Sequence, residues 1–195
     1  MKKLLSAVVL CSFLFTGCSK KDDSPSTGGT GGSGGTTATP YFEYKIDAGS
    51  AVHIDCSNIK FEASSGGSSV QSVVATSTST HASFSFAFYG AAANMDTVAI
   101  GNKLLLAYSN FQQTDPLHLS VKVPGTPGGT DYYYTLAPVA ATEKHTITAI
   151  TKGDIENGKR VFWVEGVFNV KAQQLPGTST ATISGKYRFK LLTVQ

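Results

Sequence analysis

The strongest constraint on this chain is a period of two. Phe84, Phe86 and Phe88 alternate with Ser83, Ser85 and Ala87. Leu117, Leu119, Val121 and Val123 alternate with His118, Ser120 and Lys122. Ile183, Tyr187, Phe189 and Leu191 alternate with Thr182, Ser184, Lys186, Arg188 and Lys190. Successive side chains of a strand point to opposite faces, so this spacing predicts half-buried β-strands. No stretch carries the 3.6-residue repeat of a long amphipathic helix, and Ala91 to Asp96 is expected to make one turn at most. Gly90 and the pair Gly101-Asn102 mark connections. Asn157-Gly158 lies between the β-rich runs Lys144–Thr151 and Arg160–Lys171. Both turn residues tolerate positive φ, so a hairpin is expected there. Gly177 marks the turn before the last strand. The expectation is an all-β fold, an antiparallel β-sandwich or open barrel of about eight to eleven strands.

Composition excludes several alternatives. Only 15% of the 195 residues are charged, too few for a coiled coil, and 10% aromatic residues exclude wholesale disorder. Three cysteines cannot build a disulfide framework. Residues 41–195 form the expected single domain, of a size that buries about 70% of its unfolded surface.

The first 40 residues read differently. Lys2 and Lys3 precede an apolar run from Leu4 to Phe15, shorter than the roughly 20 residues that span a bilayer. A basic start and a short apolar run predict a secretory signal over residues 1–17. Ser24 to Pro40 is Gly, Ser, Thr and Pro with Ala38 as its one apolar side chain, and reads as a flexible linker. The segment Ser19–Pro40 would span about 25 Å as a random coil and about 75 Å stretched. Removing residues 1–17 lowers sixteen Lys and Arg to fourteen against thirteen Asp and Glu, so the net charge falls from +3 to +1. A nucleic-acid partner is not expected, because that role needs a basic stripe on a basic domain.

Two resemblances sharpen this. Leu14-Phe15-Thr16-Gly17-Cys18 resembles a bacterial lipobox, with Phe15 where an aliphatic residue is usual. The resemblance implies that Cys18 is acylated and becomes the mature N-terminus. Two or more acyl chains anchor a protein stably, at about 0.8 kcal/mol per buried CH₂. The partner of residues 18–40 is then a membrane, through the lipid and not through a spanning helix. Lys21-Asp22-Asp23 after that cysteine resembles the surface-export signal of Bacteroidota lipoproteins. It implies an outer-membrane location on the cell surface, with the inner face of that membrane as the alternative. Gly166-Val167-Phe168-Asn169-Val170-Lys171 and Gly185-Lys186-Tyr187-Arg188-Phe189-Lys190 share the spacing Gly-x-aromatic-x-apolar-Lys. With Ile147-Thr148 and Asp154, this tail resembles β-rich Bacteroidota lipoproteins that form a domain of unknown function. The resemblance covers the leader and about the last third of the chain. It implies location and fold, and it transfers no catalytic residue.

Chemistry is sparse. His53, Asp55 and Cys56 lie close together, but alternation puts Cys56 on the face opposite His53 and Asp55, which does not favour a Cys-His pair. His53, His81, His118 and His145 have no metal-ligand spacing. Asp154-x-Glu156-Asn157-Gly158 invites a calcium reading, yet Lys159 stands where an EF-hand loop requires Gly. No enzyme, metal or cofactor is therefore expected. Trp163 follows Phe162, so the two aromatics face opposite sides, and Tyr133 opposes Tyr132 and Tyr134. Exposed flat aromatics on a sheet can stack on sugar rings, whereas a strand-centre Trp can equally be a core residue. Trp163, Tyr132, Tyr133 and Tyr134 are the candidate ligand-binding residues. Lys186, Arg188 and Lys190 line one face of the last strand, where they can meet an acidic ligand or simply solvate the sheet. Asp96-Thr97-Val98 resembles a Bacteroidota O-glycosylation acceptor, which would place Thr97 on an exposed loop. The expected function is a non-enzymatic module binding a glycan or another ligand. The alternative is a structural lipoprotein contacting envelope proteins through a sheet face.

Overall fold

The computed structural model describes residues 39–56, 70–108, 116–138 and 140–195, all within one compact unit, Thr37–Gln195. The signal segment, Cys18 and nearly all of the linker lie outside the described residues. The strands are β1 (Tyr41–Ile46), β2 (Val52–Asp55), β3 (Val70–Thr76), β4 (Ser83–Tyr89), β5 (Gly101–Lys103), β6 (Leu119–Pro124), β7 (Tyr132–Thr135), β8 (Lys144–Glu156), β9 (Lys159–Leu175) and β10 (Thr180–Val194). A single helical turn, α1, covers Ala92–Met95. The fold is all-β, and the pairs between these strands are antiparallel.

The sheet runs β2-β1-β10-β9-β7-β6-β4-β3, with β8 also on β9 and β5 on β8. Strand β9 is its spine. One edge pairs with β10 along nearly its full length. The other edge holds β8 as far as Asn169 and then β7 from Ala172 onward. The sheet therefore branches there, and the β7-β6-β4-β3 branch folds over the inner face of β1, β9 and β10. Aromatic rings join the two layers. Phe84 stacks on Phe42 at 4.7 Å and on Phe189 at 4.8 Å, and Phe42 stacks on Phe168 at 5.4 Å. Each such pair contributes about 0.5–1.5 kcal/mol beyond its buried area. Bridges between Ala91 and Val194, and between Leu105 and Leu119, draw the ends of the layers together. The result is sandwich-like and partly closed.

Alternation sets the faces of β9 and β10. In β9, Phe162, Val164, Gly166, Phe168, Val170 and Ala172 are buried, and Trp163, Glu165, Val167, Asn169 and Lys171 between them face outward. In β10, Ile183, Tyr187, Phe189 and Leu191 are buried. The same alternation predicts a solvent face for β4 and β6, which survives in part at Lys122. Ser83, Ser85, Ala87, His118 and Ser120 are all buried as well. Strand β4 lies between β3 and β6, and β6 also bonds to the segment after β5, through Leu119 N to Leu104 O (3.3 Å) and Leu106 N to Leu119 O (3.1 Å). Small side chains suit these buried positions.

The β8–β9 hairpin is tighter than its flanking runs suggest. Glu156 pairs with Lys159, leaving Asn157 (φ 50°) and Gly158 (φ 75°) as the whole turn. Two positive φ angles make the type I′ geometry that matches strand twist. The two Gly-x-aromatic segments turn out to be each other's partners. Gly166 lies opposite Tyr187, and Gly185 lies opposite Phe168. Each missing side chain is the space into which the other segment's ring lies. A Cβ at Gly166 would fall 2.7 Å from Tyr187 Cε1, and one at Gly185 would fall 2.8 Å from Phe168 Cε1.

Candidate functional site

The outward residues of the long strands form the candidate face. Phe162 is only 1% exposed, whereas Trp163, on the opposite side of β9, is half-buried at the surface. Arg188 and Lys190 stand over the Trp163 ring, 5.5 and 5.9 Å from its centre. Gly153 lies beside the indole: a Cβ there would make an ordinary contact with Nε1 at 3.6 Å and would crowd Val161 at 3.2 Å. Each cation of the β10 stripe has a carboxylate partner. Lys186 meets Glu43 at 3.4 Å, Arg188 meets Glu165 at 3.0 Å and Lys190 meets Glu156 at 2.6 Å. The stripe is thus offset by carboxylates, which removes most of its attraction for an acidic ligand. Tyr41 stacks on His53 at 5.3 Å at the β1–β2 edge of the same face.

A second aromatic group lies at the far end of β9. Tyr134 pairs with Gln173 and Tyr132 with Leu175. Gln173 has the same parity as Trp163, ten residues away, so the two groups share the outward side of one strand about 33 Å apart. Lys122 Nζ sits 4.1 Å over the Tyr132 ring and 5.4 Å from the centre of Tyr134. Tyr108 meets Tyr134 edge-on at 5.2 Å. Tyr133 points the other way and packs against the core, so it adds nothing to the outward group.

The catalytic candidates are not brought together. His53 and Asp55 are exposed, while Cys56 is buried and its thiol donates to Ile54 O at 3.5 Å. Burial pushes the Cys56 thiol up to about 12, and the Asp55 charge acts in the same direction. It is therefore protonated at neutral pH and a poor nucleophile. His145 is buried in the core, with Nε2 sharing a 2.6 Å hydrogen bond with Tyr187 Oη. Burial lowers His145 to about 4, and nearby His118 and Lys103 act in the same direction against a backbone contact at Leu104. Burial likewise raises Tyr187 far above its ordinary range. Among the described residues, no group of three or more His, Cys, Asp or Glu side chains could hold a metal ion. In the Asp154 segment, the Glu156 carboxylate accepts from Lys190. Thr97 is exposed on the turn after α1, and its hydroxyl donates to Asn94 O at 2.8 Å.

One feature has no signal in the sequence. A cleft of about 200 Å³ opens between the turn after β1, the turn before β8 and the outward residues of β9 and β10. Asp47, Glu143, Asn169, Lys171, Thr180 and Thr182 line it. Its walls are pinned. Asp47 N donates to Thr182 O and Asp47 Oδ1 accepts from Thr182 N, both at 2.8 Å. Asn169 Nδ2 donates to Thr142 O at 3.3 Å. These residues are scattered over the chain, so no spacing marks them. Among the described residues, no helix is long and apolar enough to cross a membrane. No family model, curated protein or solved structure matches the chain.

Proposed function

We propose that this chain is an outer-membrane lipoprotein, anchored through Cys18 and displayed on the cell surface, whose β-domain is a non-enzymatic glycan-binding module. The observation that carries the binding reading is the placement of Trp163, Tyr132 and Tyr134. All three are partly exposed on the outward side of the sheet, where core packing does not require them. An aromatic ring offers its face to the C–H groups of a sugar and keeps a polar tip for its hydroxyls. Cys56 is buried with its thiol on Ile54 O while His53 is exposed, which supports a role without a covalent step. The lipobox and the Lys21-Asp22-Asp23 run support the location.

The test is binding of the full-length protein, held in detergent, to an array of oligosaccharides. The wild type retains at least one class, and the Trp163→Ala/Tyr134→Ala double variant loses it while melting at the same temperature. Equal retention by both proteins would refute the aromatic face. A second reading, contact with an envelope protein, draws on Val167 and Leu175, which are 44% and 46% exposed on that face. Cross-linking from Val167 to one envelope protein, with an empty glycan array, would favour it.

A further inference from the structure

The polar cleft has the size and chemistry of a single sugar ring. Its volume of about 200 Å³ equals the share of roughly six or seven liquid waters. That is below the 300–1,000 Å³ typical of pockets for drug-sized ligands. Its lining mixes hydrogen-bonding types. The carboxylates of Asp47 and Glu143 accept, the ammonium of Lys171 donates, and the Asn169 amide and the Thr180 and Thr182 hydroxyls do both. Neighbouring ring hydroxyls of a pyranose also donate and accept, and so need this mixture. A phosphate or a uronic acid would meet two carboxylates against one ammonium, which disfavours both. Asp47 and Asn169 are held by their hydrogen bonds to Thr182 N and Thr142 O before a ligand arrives, and the strand backbones fix where the other side chains start.

The cleft also connects to the aromatic residues. Thr180 at its rim pairs with Gln173, and Gln173 pairs with Tyr134. Two strand spacings, about 10 Å, therefore separate the backbone of Thr180 from that of Tyr134. We propose that this cleft is a subsite for one neutral hexopyranose ring, and that the bound glycan runs from it across Gln173 onto Tyr134. The proposal rests on the glycan reading above and names where the chain is gripped.

The test uses isothermal titration of the full-length protein in detergent with neutral hexasaccharides built of hexopyranose rings: maltohexaose, cellohexaose and mannohexaose. Hexuronic acid hexasaccharides serve as the acidic counterpart. At least one neutral hexasaccharide binds, and Lys171→Met, Thr182→Val and Tyr134→Ala each weaken it tenfold or more without lowering the melting temperature. Binding of a neutral hexasaccharide by all three variants within twofold of the wild type would overturn the cleft and leave the glycan reading standing. Binding of the acidic hexasaccharides alone would overturn the neutral subsite and also leave that reading standing. Binding of neither class would overturn both.

Discussion

Substituting Gly166 by alanine is the sharpest perturbation of this core. The new Cβ would lie 2.5 Å from Tyr187 Cζ, closer than real Cβ contacts, and the neighbour is a stacked ring, not a flexible tip. Tyr187 cannot give way cheaply. It stacks on Phe189 at 4.3 Å, tilts against Phe86 at 5.6 Å and holds His145 through a 2.6 Å hydrogen bond. Overpacking a core costs about 1–3 kcal/mol. Leaving buried His145 without its partner costs about 1–3 kcal/mol more. A total near 4 kcal/mol lowers the melting temperature by about 8–16 °C for a domain of this size. Thermal unfolding followed by circular dichroism measures it. Tyr187→Leu removes the ring, so Gly166→Ala placed on that background costs little further. The double-mutant cycle should therefore show a coupling close to the full cost of Gly166→Ala, about 4 kcal/mol. Strictly additive losses, or a Gly166→Ala protein melting within 2 °C of the wild type, would refute the reciprocal packing of the two segments.

Acid should weaken the fold through His145. Its ordinary value of 6.5 falls to about 4 in the fold, so the unfolded chain takes up the proton first. Stability is full above pH 6.5 and falls as the pH drops through 4, by about 3 kcal/mol. Urea titrations at pH 7 and pH 4 test this, and a His145→Gln protein with the same pH slope as the wild type would contradict it. Gly158→Ala strains the left-handed position at φ 75° and costs about 1 kcal/mol, read as a lower urea midpoint. An unchanged midpoint would argue against the two-residue turn. Breaking the half-exposed Lys190–Glu156 pair by Lys190→Met should change stability by less than about 1 kcal/mol, and a loss several times larger would show a structural role for the stripe. Cys56, with its thiol pushed up to about 12, should resist iodoacetamide at pH 8 until the protein is unfolded. Rapid labelling of the folded protein would place it in an accessible site.

The strands and most of their faces were legible because one apolar side and one polar side leave a period of two. The Phe162-Trp163 pair was not legible, since both residues are large and aromatic. The long β9–β10 register decides it by keeping the even-numbered residues of β9 inside. Ser83, Ser85 and Ser120 read as surface residues by alternation, yet all three are buried, because period two tells two faces apart and not whether the second face meets water. The Gly-x-aromatic repeat was visible, but its meaning depends on which residues stand opposite one another. The cleft was invisible for a related reason. Asp47 and Thr182 are far apart in sequence and meet only because β1 pairs with β10.

Location and binding can be read together on intact cells. Fluorescent oligosaccharides would be applied to cells producing the wild type, the Cys18→Ala variant or the Trp163→Ala/Tyr134→Ala variant at equal levels. Only wild-type cells should retain the label, and protease treatment of intact cells should remove it. Equal retention by all three would contradict a lipid-anchored module that binds glycans through its outward aromatic face.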